Sequence, residues 1–257
     1  MSSACKQHIL ELNKVCFSYE NSQRFIHDLT FSIDEGDCIG LLGANGSGKS
    51  TILKLASGIL KPTSGNLLLW EQDLCAVNNK NRAKLISYLP QMLDFTIPFT
   101  VREVVGMGRY PYEILPAMTV EDALNRVGLL DKASARLSDL SGGERRRTFI
   151  AMTLLQGAGL LLLDEPLANL DIKYQIDLIN LLKHLKITAG ISVVMALHDI
   201  NMALQFEKVM LIREGKIIGI GKPEDVLTEA MLKQAFDVEI NVQKNQNRIY
   251  FSYEDTV

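Results

Sequence analysis

No apolar run in the 257 residues approaches the ~20 needed to cross a bilayer, so no segment is expected to be a transmembrane helix. The stretch from Met1 to Gln7 lacks the apolar core of a secretory signal, and the chain is expected to stay in the cytosol. Excess charge of one sign is also missing: 27 Lys and Arg against 30 Asp and Glu leave a formal net charge of -3. Binding to a phosphate backbone generally shows as a basic excess or stripe, so no nucleic-acid partner is expected. The triplet Arg145-Arg146-Arg147 is too short to overturn this. At a helix start it opposes the helix dipole, which suggests solvation or salt bridging first and partner contact second. The four cysteines, Cys5, Cys16, Cys38 and Cys75, share no CxxC-type spacing, which argues against metal and disulfide frameworks. Cys16 and Cys38 fall in apolar strand-like segments and read as buried thiols. There is no internal repeat, coiled-coil heptad or low-complexity tract.

Hydrophobic residues make up 47% of the chain, enough for a substantial core in one domain, with or without a subdomain. Gly43 to Ser50 read GANGSGKS and match the phosphate-binding pattern G-x-x-x-x-G-K-[ST]. In that pattern backbone N–H groups cradle phosphate oxygens, the lysine neutralises charge and the last hydroxyl can ligate Mg2+. The flanks agree, because Cys38 to Leu42 is a short buried-strand run and Lys49 to Gly58 spaces Ile52, Leu53 and Leu55 along one helix face. The loop therefore sits at a helix N-terminus, where unsatisfied N–H groups and the dipole favour polyanions. Nucleotide-contacting candidates are Gly43, Ala44, Asn45, Gly46, Ser47, Gly48, Lys49, Ser50 and Thr51.

Leu160 to Leu163 form a buried-strand run that ends in Asp164-Glu165-Pro166. Asp164 is placed to bind Mg2+ through water, and Glu165 to polarise the water that attacks a γ-phosphate. Gln91 and His198 each follow an apolar strand, at the carboxyl edge of a parallel sheet where ligands bind. Gln91 offers an amide oxygen to Mg2+ or to the attacking water, and His198 is a catalytic candidate. Alone, Gln91 reads as one polar loop residue among many and His198 as a satisfied histidine at a strand end; position at the sheet edge raises the functional reading.

Alternation over Ile9, Leu12, Val15 and Phe17, and again from Phe25 to Ile33, predicts an antiparallel sheet ahead of the phosphate loop. Leu67 to Trp70, Leu85 to Pro90, Leu160 to Leu163 and Ser192 to Leu197 read as strands. Thr100 to Met107, Val120 to Val127, Arg145 to Leu155 and Gln175 to Lys186 read as helices. Such alternation implies a mainly parallel sheet. No strand pattern lies between Gln91 and Leu140. Residues 91–156 are therefore expected to be a helical subdomain within one domain spanning 1–257, whose α/β core comprises 1–90 and 157–257. Val209 to Ile212 and Ile217 to Ile220 make a hairpin about Glu214-Gly215-Lys216, Pro223 and Met231 begin helical stretches, and Ile240 to Val242 with Ile249 to Phe251 look like a small hairpin.

In order and separation these segments resemble the nucleotide-binding subunits of ABC transporters along almost the whole chain. GANGSGKS resembles their Walker A loop, Gln91 the Q-loop, LSGGE from Leu140 to Glu144 the signature, LLLLDEP the Walker B strand, Asn169-Leu170-Asp171 the end of the D-loop, and His198 the H-loop. Tyr19 is similar to the aromatic that stacks on adenine, and otherwise reads as a strand tyrosine. The resemblance implies an α/β P-loop NTPase fold with an N-terminal antiparallel β subdomain, a RecA-like core sheet and an inserted α-helical subdomain. It implies ATP and Mg2+, and a site completed by a second copy: Ser141, Gly142 and Gly143, with Asp171, close over the triphosphate of another chain in a head-to-tail homodimer. Polytopic permease subunits and, indirectly, a substrate-binding protein are the further implied partners, at the cytoplasmic face of the inner membrane.

Departures from the pattern are Glu144 where Gln is commoner and Leu167-Ala168 where Thr and Ser are usual. Thr100 to Val105, Gly108-Arg109-Tyr110-Pro111 and Leu197 to Ala203 look like the ATPases of bacterial iron-siderophore, haem and cobalamin importers, although the interval from Tyr112 to Ala123 is shorter than usual there. Molybdate and other oxyanion importers use the same ATPase type. Phe95, Ile97, Phe99 and Val104 are candidates to line a groove for a permease helix, or else are core. Soluble repair or translation ATPases of the family would carry long heptads or two cassettes, and a phosphotransferase would have no reason for LSGGE, Gln91 and His198. A regulatory module would lose Glu165.

Overall fold

The computed structural model describes residues 8–20, 25–91, 98–114, 117–245 and 248–253. The alternation near the N-terminus becomes strands β1 (His8–Phe17) and β2 (Ile26–Asp34), paired antiparallel with Leu12 opposite Phe31. β3 (Cys38–Leu42) is buried at every position and leads to the phosphate loop and helix α1 (Lys49–Ala56). β4 (Ser64–Leu69) returns to β1, Leu67 opposite Leu12, and β5 (Gln72–Asp73) completes a sheet of order β2-β1-β4-β5. A helix that periodicity does not predict follows, α2 (Asn79–Leu85). None of its residues is buried, so it leaves no apolar pattern, and its local signal is Asn78, whose side chain accepts from the Asn81 N–H.

β6 (Ile86–Leu89) ends just before Gln91. The helices α3 (Val101–Gly106), α4 (Val120–Arg126) and α5 (Gly142–Gln156) come next, and each opens on a capping box: Thr100 with Glu103, Thr119 with Asp122, Ser141 with Glu144. α5 starts ahead of its apolar period because the Ser141 cap, not hydrophobic spacing, sets its first turn. Among the described residues of 98–140 the only β pairing is an isolated bridge, Thr100 to Arg136. Val104 is fully buried in the core and lines no groove, Phe99 is exposed, and Phe95 and Ile97 lie outside the described residues.

β7 (Leu160–Asp164), α6 (Ile172–Ala189), β8 (Ser192–Leu197), α7 (Ile200–Ala203), β9 (Lys208–Arg213) and β10 (Lys216–Gly221) complete a six-stranded sheet of order β10-β9-β3-β8-β7-β6. Its pairings are parallel except for the β9–β10 hairpin. α8 (Pro223–Val226), α9 (Glu229–Phe236) and the hairpin of β11 (Ile240–Asn245) with β12 (Arg248–Tyr253) follow. No helix among the described residues is long and apolar enough to cross a membrane.

Strand parity divides the core. Leu160 and Leu162 join the cluster that holds Leu10, Leu12, Ile52 and Leu55, whereas Leu161 and Leu163 join the one that holds Val104, Ile150 and Leu182. Each fully buried leucine contributes about 1.5–3 kcal/mol, so the register of β7 is fixed from both faces. The same parity turns Asp164 toward the α1 face.

Candidate active site

β3 lies between β8 and β9, so the loop after Leu42 emerges at the carboxyl edge of the sheet centre. A Cβ on Gly43 would fall 2.3 Å from the Ile212 carbonyl oxygen, and Gly48 caps α1 with φ of 111°, a conformation that side chains rarely adopt. Ser47 Oγ is buried with no hydrogen-bond partner among the described residues. Lys49 is almost fully buried, and its Nζ donates to the carbonyls of Gly43 at 2.7 Å and Ala44 at 3.1 Å. Burial lowers its pKa, opposed by the charges of Glu165 and Asp164. The residues from Asn45 to Thr51 line a cavity of about 330 Å³ together with Gln91, Glu165 and His198.

Asp164 faces α1 as parity requires. Its Oδ1 accepts from the Ser50 hydroxyl at 3.0 Å and its Oδ2 from the Tyr88 hydroxyl at 3.3 Å. Burial raises the Asp164 pKa, while the Ser50 hydrogen bond opposes the rise. Glu165 then leaves the strand with φ of 51°, a left-handed conformation that costs about 1–3 kcal/mol and persists where the surroundings impose it. That turn puts its Oε2 2.5 Å from both Gln91 Nε2 and His198 Nε2. Three strand ends, those of β6, β7 and β8, thus converge on one carboxylate that is 6% exposed. Tyr19 stands at the side of the loop, 43% exposed. Its hydroxyl is 2.8 Å from Thr51 Oγ1, and its ring packs edge-on against Phe17 and Phe25.

The signature lies elsewhere. Ser141 and Gly143 line a second cavity with Glu144, Asn169 and Asp171, which shares no lining residue with the phosphate-loop cavity. Glu144 has a local role there: its Oε2 accepts from both the N–H and the hydroxyl of Ser141 at 2.9 Å, and its Oε1 pairs with Lys132. The Lys132 hydrogen bond, followed by those from Ser141, holds its pKa down at about 2. The Ser141 hydroxyl is therefore committed to the helix cap in this arrangement.

Two arginines of the triplet are withdrawn from solvent, where the sequence suggested solvation. Arg146 and Arg147 are both buried. Arg147 donates to the Val127 carbonyl at 2.8 Å and places its guanidinium carbon 3.7 Å from the Tyr174 ring centroid. Arg145 donates to the Ser138 carbonyl. Arg146 binds main-chain carbonyls beneath Gln91 and Glu165. Recognition of carbonyls leaves no partner residue type to find in a sequence, and the inward orientation of Arg146 and Arg147 on α5 was the one available signal.

The ABC transporter family profile matches residues 26–168. This chain belongs to the ABC transporter family. It is 35% identical over 253 residues to the petrobactin import ATP-binding protein FpuC of Bacillus anthracis, covering 95% of this chain and 92% of that protein. Identity to the hemin import ATP-binding protein HmuV of Bordetella avium is 37% over 233 residues, covering 86% and 89%. The fold matches a metal-chelate type ABC transporter solved in an inward-facing conformation with a TM-score of 0.80 at 25% identity, covering 96% of this chain and 98% of that one. As an ABC ATPase the chain binds and hydrolyses ATP.

Proposed function

We propose that this chain is the ATP-hydrolysing subunit of a bacterial importer of a metal chelate of the iron-siderophore, haem or cobalamin type, working as a homodimer beneath polytopic permease subunits at the cytoplasmic face of the membrane. The observation that supports the chemistry is the convergence of Gln91, Glu165 and His198 beside the phosphate loop. In this reading the loop amides and Lys49 hold the triphosphate, Glu165 takes a proton from the attacking water, and His198 and Gln91 fix the Glu165 carboxylate. Tyr19 stacks on the adenine with its exposed face.

Ser50 and Asp164 present hard oxygen donors beside each other, which suits Mg2+, with Gln91 as a further donor. When bound, the ion would supply positive charge that offsets the charge on the phosphates. The separate cavities favour a site shared between copies, since Ser141, Gly142, Gly143 and Asp171 then serve a nucleotide on another chain. Residues 91–156 act as the helical subdomain that carries the signature, and a substrate-binding protein would deliver the cargo to the permease. Purification of the tagged chain from membranes tests the assignment. Co-purifying polytopic subunits are expected, and recovery of the chain alone from membranes that retain their transporters would contradict it.

A further inference from the structure

Arg146 lies on the signature helix α5, yet its guanidinium points away from the signature into the protein, 5% exposed. It donates to five main-chain carbonyls: Pro90 at 2.9 Å, Gln91 at 2.8 Å, Asp164 at 2.7 Å, Glu165 at 2.6 Å and Pro166 at 3.4 Å. These carbonyls belong to two segments, the one that delivers Gln91 after β6 and the one that delivers Asp164 and Glu165 at the end of β7. A guanidinium is planar and its donors form a rigid fork, so the groups it engages are fixed relative to each other. The fork therefore sets the separation of the two segments whose side chains meet at the Glu165 carboxylate. It also holds the carbonyl of the one residue there whose backbone is left-handed, Glu165 with φ of 51°. A buried cation is retained only where its donors are satisfied, and these carbonyls satisfy them.

We propose that Arg146 is a positioning residue for hydrolysis: it clamps the Gln91 and Glu165 segments together and ties both to α5, so that the helix opening on the signature cavity sets the base in the phosphate-loop cavity. The proposal rests on the reading of Glu165 as the base. Its effect passes through Glu165, which separates it from a general packing role.

The test uses the full chain with Arg146→Met and Arg146→Lys, each made in the parent and in Glu165→Gln. Arg146→Met is expected to lower kcat about 10–100-fold, the scale of a misplaced catalytic group, with the ATP Kd changed less than about threefold. In the Glu165→Gln background the same change should alter the residual rate less than about twofold, because the residue it acts through is already lost. Equal fold losses in both backgrounds, or a kcat within about twofold of the parent, would overturn the proposal. Should Arg146→Met not fold, Arg146→Lys decides: it keeps the charge without the fork, so a tenfold or so loss of kcat at unchanged ATP affinity supports the clamp and normal turnover refutes it. A Glu165→Gln chain that hydrolyses at the parent rate would remove the base assignment, and this proposal with it, without recourse to any Arg146 variant.

Discussion

Glu165→Gln replaces a carboxylate by an amide of the same shape. The parent oxygen sits 2.5 Å from two nitrogens, Gln91 Nε2 and His198 Nε2, and the glutamine can turn its own carbonyl oxygen toward them, so the pocket should keep its form. What disappears is the proton acceptor. General-base catalysis contributes about 10²–10⁴-fold, or about 2.7–5.4 kcal/mol of barrier at about 1.36 kcal/mol per decade. The nucleotide is held by other groups, the loop amides and Lys49, so its binding should be spared. Phosphate release under saturating ATP and Mg2+ should fall about 100-fold or more, while a calorimetric titration gives an ATP Kd close to the parent value. A turnover within threefold or so of the parent would show that Glu165 does not carry the proton.

Lys49→Ala should remove measurable ATP binding in the same titration, since the cation facing the triphosphate is lost, and unchanged affinity would count against the phosphate loop. Glu144→Gln should show a pH signature. The carboxylate is held at about 2 against an ordinary 4.5, so its contribution to stability is complete above 4.5 and is lost as pH falls toward 2. The Tm gap between parent and variant should therefore close across that window, and a gap that stays constant would contradict the cap. Leu162→Ala should cost about 2–5 kcal/mol by urea denaturation, because Leu162 is fully buried between β7 and α1, and a cost under 1 kcal/mol or so would mean that this face is loosely packed.

The phosphate loop, the leucine strand and the two polar residues at strand ends were legible because each depends on contiguous residues. A buried strand reads as an apolar run, and whatever follows it stands at the sheet edge. The antiparallel layer was legible for the same reason, through alternation in β1 and β2. What escaped is recognition of main chain. α2 has no buried face, so only its Asn78 cap marks it. Arg146 contacts carbonyls supplied by Pro90, Gln91, Asp164, Glu165 and Pro166, any of which another residue type would also supply. Glu144 is a milder case, because Ser141 with an acid three residues on is a capping-box pattern that contiguous residues display.

A nucleotide shared between two copies requires that ATP join them through the signature. Sedimentation of Glu165→Gln with ATP and Mg2+ should show a dimer that ADP does not support, and adding Gly142→Asp should return it to monomer while ATP still binds. A monomer with ATP bound, or a dimer indifferent to both the nucleotide and Gly142→Asp, would contradict it.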